Sequence, residues 1–327
     1  MYGLGLPAIK KIFKSSLLTY SAVGLTLLVI LYILLQFRQV RTTTDTYVIC
    51  MPEGGLCDMM GRIHDCIEYC KAHGRIMILD TRNATHATDL METYFTINSP
   101  VLYKGDLDAK YASLKGRSFY PPELAETFST MEVKWTKEKS FIDLATKVPT
   151  YFDLSQSYSE DVILFRDCGG GVNKVLSFLS LSRLTPLVKQ TYEKRRAMLP
   201  EDYISVHVRN TDRVSDVTGF IKKYSDVFES AFIFLATDDY TSIQRFKELY
   251  KDKVYTFSQP DPAGKEIGTH HVKRSREETR VQTIDAIVDL LLLANGKSLY
   301  YSHPSSGFSK VAEGLHEEPL LIRNLIG

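Results

Sequence analysis

The residues best suited to hold a phosphorylated ligand lie past the middle of the chain, where the apolar run Ile204-Ser205-Val206 leads into His207-Val208-Arg209-Asn210-Thr211-Asp212. Doubly wound α/β folds receive ligands at the carboxyl edge of their parallel strands. An arginine placed there can grip a diphosphate through two parallel bonds and stabilise the charge that grows on a departing phosphate. The plainer account of Arg209 is a surface arginine paired with Asp212. A second run, Phe232 to Ala236, ends in Thr237-Asp238-Asp239. Asp238 suits the positioning of Arg209 or a nearby loop, whereas Asp239 suits the capping of a helix that begins around Ser242. Asp289 stands inside an apolar helical run that continues into four leucines, where a carboxylate without a partner is costly. Its partner is either the donor edge of guanine or an arginine of the protein, and chemistry alone leaves both open. Finally, Ser305, Ser306 and Gly307 precede a helix starting near Phe308. The free N–H groups of such a helix start attract anions, although an ordinary serine N-cap explains the same residues.

The elements that must position these groups alternate. Tyr47 to Met51 reads as a buried strand leading through Glu53-Gly54-Gly55 into a helix over 59–73, stopped by Gly74 and followed by a strand from Ile76 to Leu79. Residues 85–159 are less regular. Beyond them, strands are expected at 162–165, 203–208, 232–236, 254–257 and 298–302, with helices at 186–198, 221–230, 243–250 and 279–293. Strands alternating with helices imply parallel sheets covered on both faces, and two such sheets split near Ser159 suit a cleft between lobes at 47–159 and 160–327.

The chain has 327 residues, and its 40 basic side chains nearly balance 39 acidic ones, which excludes the cationic footprint of a general nucleic-acid binder. After an N-terminal tail over 1–16, Leu17 to Phe37 carries no charge and as a helix is about 31 Å long, the thickness of a bilayer core. One membrane-spanning anchor over 17–37 and a stem over 38–46 are expected. A cleaved signal peptide is disfavoured by the length of the run. Lys10, Lys11 and Lys14 before it against Arg38 and Arg41 after it lean toward a cytosolic N-terminus, a type II orientation. The five cysteines, Cys50, Cys57, Cys66, Cys70 and Cys168, are odd in number and lack zinc-finger partners, which favours buried thiols. Asn83-Ala84-Thr85 is a glycosylation acceptor pattern, used only on a lumenal side.

Taken in order, His207-Val208-Arg209 with Thr211-Asp212, then Ala236-Thr237-Asp238-Asp239, then Asp289, then Ser305-Ser306 before Val311-Ala312-Glu313 resemble the motif regions of the α1,6-fucosyltransferase and NodZ group, over 203–314. Gly54-Gly55-Leu56-Cys57-Asp58-Met59-Met60 resembles the glycine turn that opens the acceptor-side lobe in O-fucosyltransferase-like enzymes. The resemblance implies an α/β fold of GT-B type, with two Rossmann-like lobes facing a cleft. It also implies GDP-fucose as donor substrate, inversion at the anomeric carbon and no required metal or other cofactor. By position, Arg209 contacts the diphosphate, His207 and Asp289 help bind guanosine, Ser305, Ser306 and Gly307 line the phosphate end, and Gly54 and Gly55 border the acceptor. The expected partners are a nucleotide sugar and a glycan or glycoprotein, with a lumenal catalytic part in the Golgi or endoplasmic reticulum if the source is eukaryotic. Two departures stand out. The group's second consecutive arginine is Asn210 here, and its proposed glutamate base aligns with Val217, leaving Asp216 or Asp212 as the base, Asp216 preferred.

Rival readings remain. Asp106-Leu107-Asp108 has the spacing of metal-dependent GT-A enzymes, and Cys168-Gly169-Gly170-Gly171 lacks the rest of a Walker motif. A membrane-tethered sugar-nucleotide-binding protein without turnover is the third reading, kept alive by Asn210 and Val217.

Overall fold

The computed structural model describes residues 45–84, 89–137, 140–211, 213–260 and 275–327. The expected tail and membrane span, nearly all of the stem, Thr85 of the glycosylation pattern and Asp212 lie outside the described residues. Among the described residues no helix is long and apolar enough to cross a membrane.

Strand β1 (Tyr47–Cys50) is buried throughout because it runs through the middle of a sheet covered on both faces, as four consecutive apolar or aromatic residues require. Helix α1 (Leu56–His73) follows, ended by Gly74 in the left-handed conformation at φ 64°, where a residue with a Cβ would be strained. Next come β2 (Ile76–Leu79), β3 (Phe95–Ile97), α2 (Leu107–Ser113), β4 (Phe119–Tyr120), the hairpin β5 (Val133–Thr136) and β6 (Ser140–Asp143), and β7 (Val162–Phe165). The first sheet is parallel in the order β2-β1-β7-β4. The expected split near Ser159, which places Val162 to Phe165 in the second lobe, is therefore corrected: β7 pairs with β1 in register Cys50 to Phe165. Its alternation with later helices is the same on either side of the split, so periodicity does not say which sheet it joins.

Helix α3 (Val172–Ser180), β8 (Ser182–Leu184) and α4 (Pro186–Ala197) lead into β9 (Tyr203–Val208). The expected helix over 221–230 is two, α5 (Val217–Lys223) and α6 (Ser225–Ser230), interrupted at Tyr224. The chain continues through β10 (Phe232–Thr237), α7 (Tyr240–Tyr250), β11 (Val254–Tyr255), α8 (Arg276–Asn295), β12 (Leu299–Tyr301), α9 (Gly307–Glu317) and α10 (Pro319–Ile326). The second sheet is also parallel, in the order β11-β10-β9-β12.

Residues Thr46–Gly327 form one compact unit. A continuous apolar core runs from the α1 face of the first sheet, through Met59, Ile63 and Cys66, to Phe234 and Ala236 of the second and the leucines of α8. Separate clusters cover the outer faces of the two sheets. Cys50, Cys66 and Cys70 are buried thiols, and all five cysteines are free. Their burial pushes the Cys66 and Cys70 thiols well above the usual range, which makes them unreactive.

Candidate diphosphate and nucleoside site

Register fixes the site. His207 pairs with Ala236 on one side and Tyr301 on the other, so Arg209, Asp238 and Ser302 leave the sheet along the same carboxyl edge. The Arg209 N–H donates to Ser302 Oγ at 3.1 Å, and Ser302 Oγ donates to Ser215 Oγ at 3.0 Å. Asp238 does hold Arg209: its Oδ2 is 2.6 Å from Nη1 and accepts from Thr211 Oγ1 at 2.6 Å, while Oδ1 accepts the Asn210 N–H at 2.9 Å. One carboxylate thus fixes both the guanidinium and the loop that carries it. Asp239 caps α7, accepting from the Thr241 and Ser242 N–H groups.

Asn210 is a brace. Its amide donates to Asp239 Oδ2 at 3.0 Å, and its carbonyl accepts the Ser215 N–H at 3.0 Å. His207 is buried, with Nδ1 2.6 Å from Ser309 Oγ and its ring 5.2 Å from that of Phe308. Burial, reinforced by the charge of Arg209, lowers its pKa to about 3, so at neutral pH it is an uncharged link between β9 and the start of α9.

Ser306 is the N-cap of α9, and Ser305 is exposed beside it. A Cβ added at Gly307 would meet nothing within 4 Å, so the helix start opens onto free space. Arg213, not singled out by its sequence context, donates through Nη1 to the Ser305 carbonyl at 3.3 Å and to Ser305 Oγ at 3.1 Å. Arg209 and the serine turn are therefore joined through Ser302 on one side and Arg213 on the other, a cationic and N–H-rich edge suited to a diphosphate.

Asp289 is buried on α8, and Ser258 Oγ donates to its Oδ2 at 2.8 Å. Burial raises its pKa to about 7, against the opposing effects of Ser258 and Arg195. Of the two partners left open by sequence, an arginine is present, but at 3.9 Å, too far for a hydrogen bond.

Across from this edge, Gly54 adopts φ 92°, and a Cβ there would lie 3.1 Å from the Cβ atoms of Asp58 and Cys168. Gly61 shows the use of the 169–171 glycines: its added Cβ would fall 2.8 Å from Gly170 Cα, so these glycines let α1 pack against the start of α3 and do not form a phosphate loop. Asp58, which accepts the Gly55 N–H at 3.3 Å, has its pKa raised by burial, with Arg62 and Arg213 opposing. The field of Arg213 on Asp58 links the glycine turn of the first sheet to the serine edge of the second.

Other expected residues have plainer surroundings. Asp216 is exposed and caps α5, accepting the Gly219 N–H at 2.9 Å. Asp106 caps α2, and Asp108 bonds Arg82 at 2.9 Å, so the two carboxylates expected of a GT-A metal site are engaged separately. Asp58 and Arg195 do not stand out in the sequence as site residues because they mimic common patterns, a third helical residue facing its cap and one member of a Lys194-Arg195-Arg196 run.

Neither a family model nor a curated protein matches the sequence. Solved structures do match. NodZ α1,6-fucosyltransferase soaked with GDP-fucose superposes with a TM-score of 0.54 at 16% identity, over 83% of this chain and 92% of that one. Fucosyltransferase NodZ from Bradyrhizobium gives 0.56 at 14% identity, over 83% and 93%. The chain has the NodZ fold. This agrees with the expected GT-B arrangement in its two parallel α/β sheets.

Proposed function

We propose that this chain is an inverting glycosyltransferase that transfers fucose from GDP-fucose to a hydroxyl of a glycan or protein acceptor. The observation that carries this reading is the joint edge of β9, β10 and β12, where Asp238 fixes Arg209 and Arg213 reaches the serine turn. A fold shared with a NodZ fucosyltransferase soaked with GDP-fucose supports the choice of donor.

In this mechanism Arg209 and the start of α9 hold the diphosphate, and Asp289 receives the base. An acceptor hydroxyl attacks the anomeric carbon as the bond from that carbon to the β-phosphate oxygen breaks. GDP departs with the bonding electrons, and the hydroxyl proton passes to a carboxylate. Arg209 stabilises the growing phosphate charge, which requires no metal. For the base, the raised pKa of Asp58 and its place opposite Arg213 favour it over Asp216, whose carboxylate is exposed and capping a helix. Anchoring through residues 17–37 with the catalytic part lumenal, in the Golgi or endoplasmic reticulum of a eukaryote, completes the reading.

The test is a thermal-shift screen of nucleotide sugars followed by transfer assays with and without a strong chelator. GDP-fucose should raise the melting temperature more than GDP-mannose or UDP-sugars, since a ligand stabilises the native state with the logarithm of its concentration over Kd. Absence of stabilisation by any guanine nucleotide would refute the donor assignment, and binding without turnover would favour the tethered binding protein.

A further inference from the structure

Asp289 and Arg195 leave two matched polar atoms without partners. Arg195, on α4, donates through Nη2 to Asp285, and its guanidinium carbon lies 5.1 Å from the centre of the Phe257 ring. Its Nη1 is 3.9 Å from Asp289 Oδ1, and both atoms are buried with no hydrogen-bond partner. The other Asp289 oxygen is taken by Ser258 Oγ at 2.8 Å. Ser258 Oγ in turn accepts the Thr237 N–H at 3.2 Å, one residue before the aspartate that holds Arg209. The orphaned pair is thus tied, through two hydrogen bonds, to the diphosphate edge.

Buried polar atoms are rarely left unpaired, and an exception calls for a ligand or a structural reason. Here the exception is a donor beside an acceptor, the complement of a ligand edge that offers an acceptor beside a donor. Guanine has such an edge in its O6 and N1–H. We propose that Arg195 is a specificity-determining residue of the nucleotide site, donating to O6 while Asp289 accepts from N1–H. This rests on the proposed GDP-sugar function and deepens it. Adenine carries an amino group and a bare ring nitrogen in the opposite order. With the diphosphate end fixed, its amino group would meet the Arg195 N–H and its lone pair the Asp289 oxygen. Leaving buried groups mispaired is what makes such discrimination strong. Uracil repeats the order of guanine on a single ring that reaches less far from the ribose.

The experiment measures binding of GDP, inosine 5′-diphosphate, ADP and UDP to the full chain in detergent by titration calorimetry, for wild type, Arg195→Met and Arg195→Lys. Inosine 5′-diphosphate keeps O6 and N1–H and loses only the 2-amino group. Wild type should prefer GDP and the inosine nucleotide over ADP. Arg195→Met should lose roughly tenfold to a hundredfold in affinity for both, the scale of one charge-assisted hydrogen bond. Its ADP affinity should stay unchanged, so the ratio collapses. Arg195→Lys, which keeps the charge opposite Asp285 and Asp289, should fall between and decides the matter if Arg195→Met does not fold. Equal losses for GDP and ADP, or an unchanged ratio in a folded variant, would overturn the assignment and leave Arg195 as a counter-ion. A wild type that binds no nucleoside diphosphate would instead sink the proposed function itself.

Discussion

Arg209→Ala should abolish most turnover while leaving the fold standing, and its size can be worked from the surroundings of the side chain. The guanidinium is 22% exposed and held by Asp238 at 2.6 Å, so it is already oriented before a ligand arrives. A hydrogen bond to a charged group contributes about 1.5–3 kcal/mol, and a forked pair of them to a diphosphate about 3–6 kcal/mol before screening. Partial exposure and the nearby Asp238 charge reduce that to about 3–4 kcal/mol, a loss of roughly a hundredfold to a thousandfold in kcat/KM. Arg209→Lys keeps the charge and loses the planar fork, so a loss nearer tenfold to thirtyfold is expected. Asp238 retains Thr211 and the Asn210 N–H in either variant, and the melting temperature should move by only a few degrees. Initial rates of GDP release at varied GDP-fucose, with a melting curve on each sample, give both numbers. A folded Arg209→Ala protein within about threefold of wild type would refute the diphosphate role.

Asp289→Asn should alter the pH dependence of stability. The folded pKa is raised to about 7, so the native state holds a proton that the unfolded chain releases near pH 4. The wild type therefore loses stability as pH rises from about 4 to 7, by at most about 4 kcal/mol. Arg195 and Asp285 are the charged groups that act on Asp289, and the gain of the variant over wild type should grow across that window and level off above it. A pH-independent difference in melting temperature would show that burial does not hold the proton. Asp89 should act in the opposite sense: Arg280 and Arg276 hold its pKa below the usual carboxylate range, so its stabilisation is present above about pH 4 and fades as pH falls through the lowered value. Asp89→Ala should cost about 1–3 kcal/mol at pH 7 in a urea titration, because it cuts the tie from the segment between β2 and β3 to the start of α8; a cost under about 0.5 kcal/mol would count against that tie. Gly61→Ala should destabilise by about 1–3 kcal/mol in the same titration, since its Cβ would lie 2.8 Å from backbone at Gly170, and a neutral result would mean that α1 shifts freely. Asp58→Asn should flatten the acidic limb of the kcat/KM profile and lower its plateau by roughly a hundredfold or more, whereas an unchanged profile would return the base to Asp216.

The second sheet was legible because its chemistry sits where strands end. Val206 and Val208 are fully buried and His207 is inside the sheet, so the alternation of β9 already indicated that Arg209 emerges at the edge, and the same holds for Asp238 after β10. Strand pairing was not legible: nothing in Val162 to Phe165 distinguishes a strand of the first sheet from one of the second, since all four residues are buried in either case. The sequence also could not show that Arg213 reaches Ser305, 92 positions away, because that contact depends on β9 and β12 being neighbours. Asp216 illustrates the converse. Its place beside Val217, where the resembled group has its glutamate, made it the expected base, but a carboxylate three residues before a free helical N–H is claimed by the helix.

Asn210, where the resembled group is expected to carry a second arginine, has a local explanation. Asn210 uses both ends of its amide, giving a hydrogen to Asp239 and taking one from Ser215. An arginine offers only donors and would leave the Ser215 N–H without this acceptor. Ser215 is worth holding, because its hydroxyl donates to the Arg209 carbonyl at 2.5 Å and receives from Ser302, closing the loop around the proposed diphosphate seat. The cation absent at Asn210 is meanwhile present at Arg213, against Ser305. The same loop thus carries a second cation three residues on, and Asn210 serves as a brace. Asparagine at position 210 is therefore compatible with the proposed diphosphate site: Arg213→Ala should weaken GDP binding, while Asn210→Arg should loosen the loop without improving it.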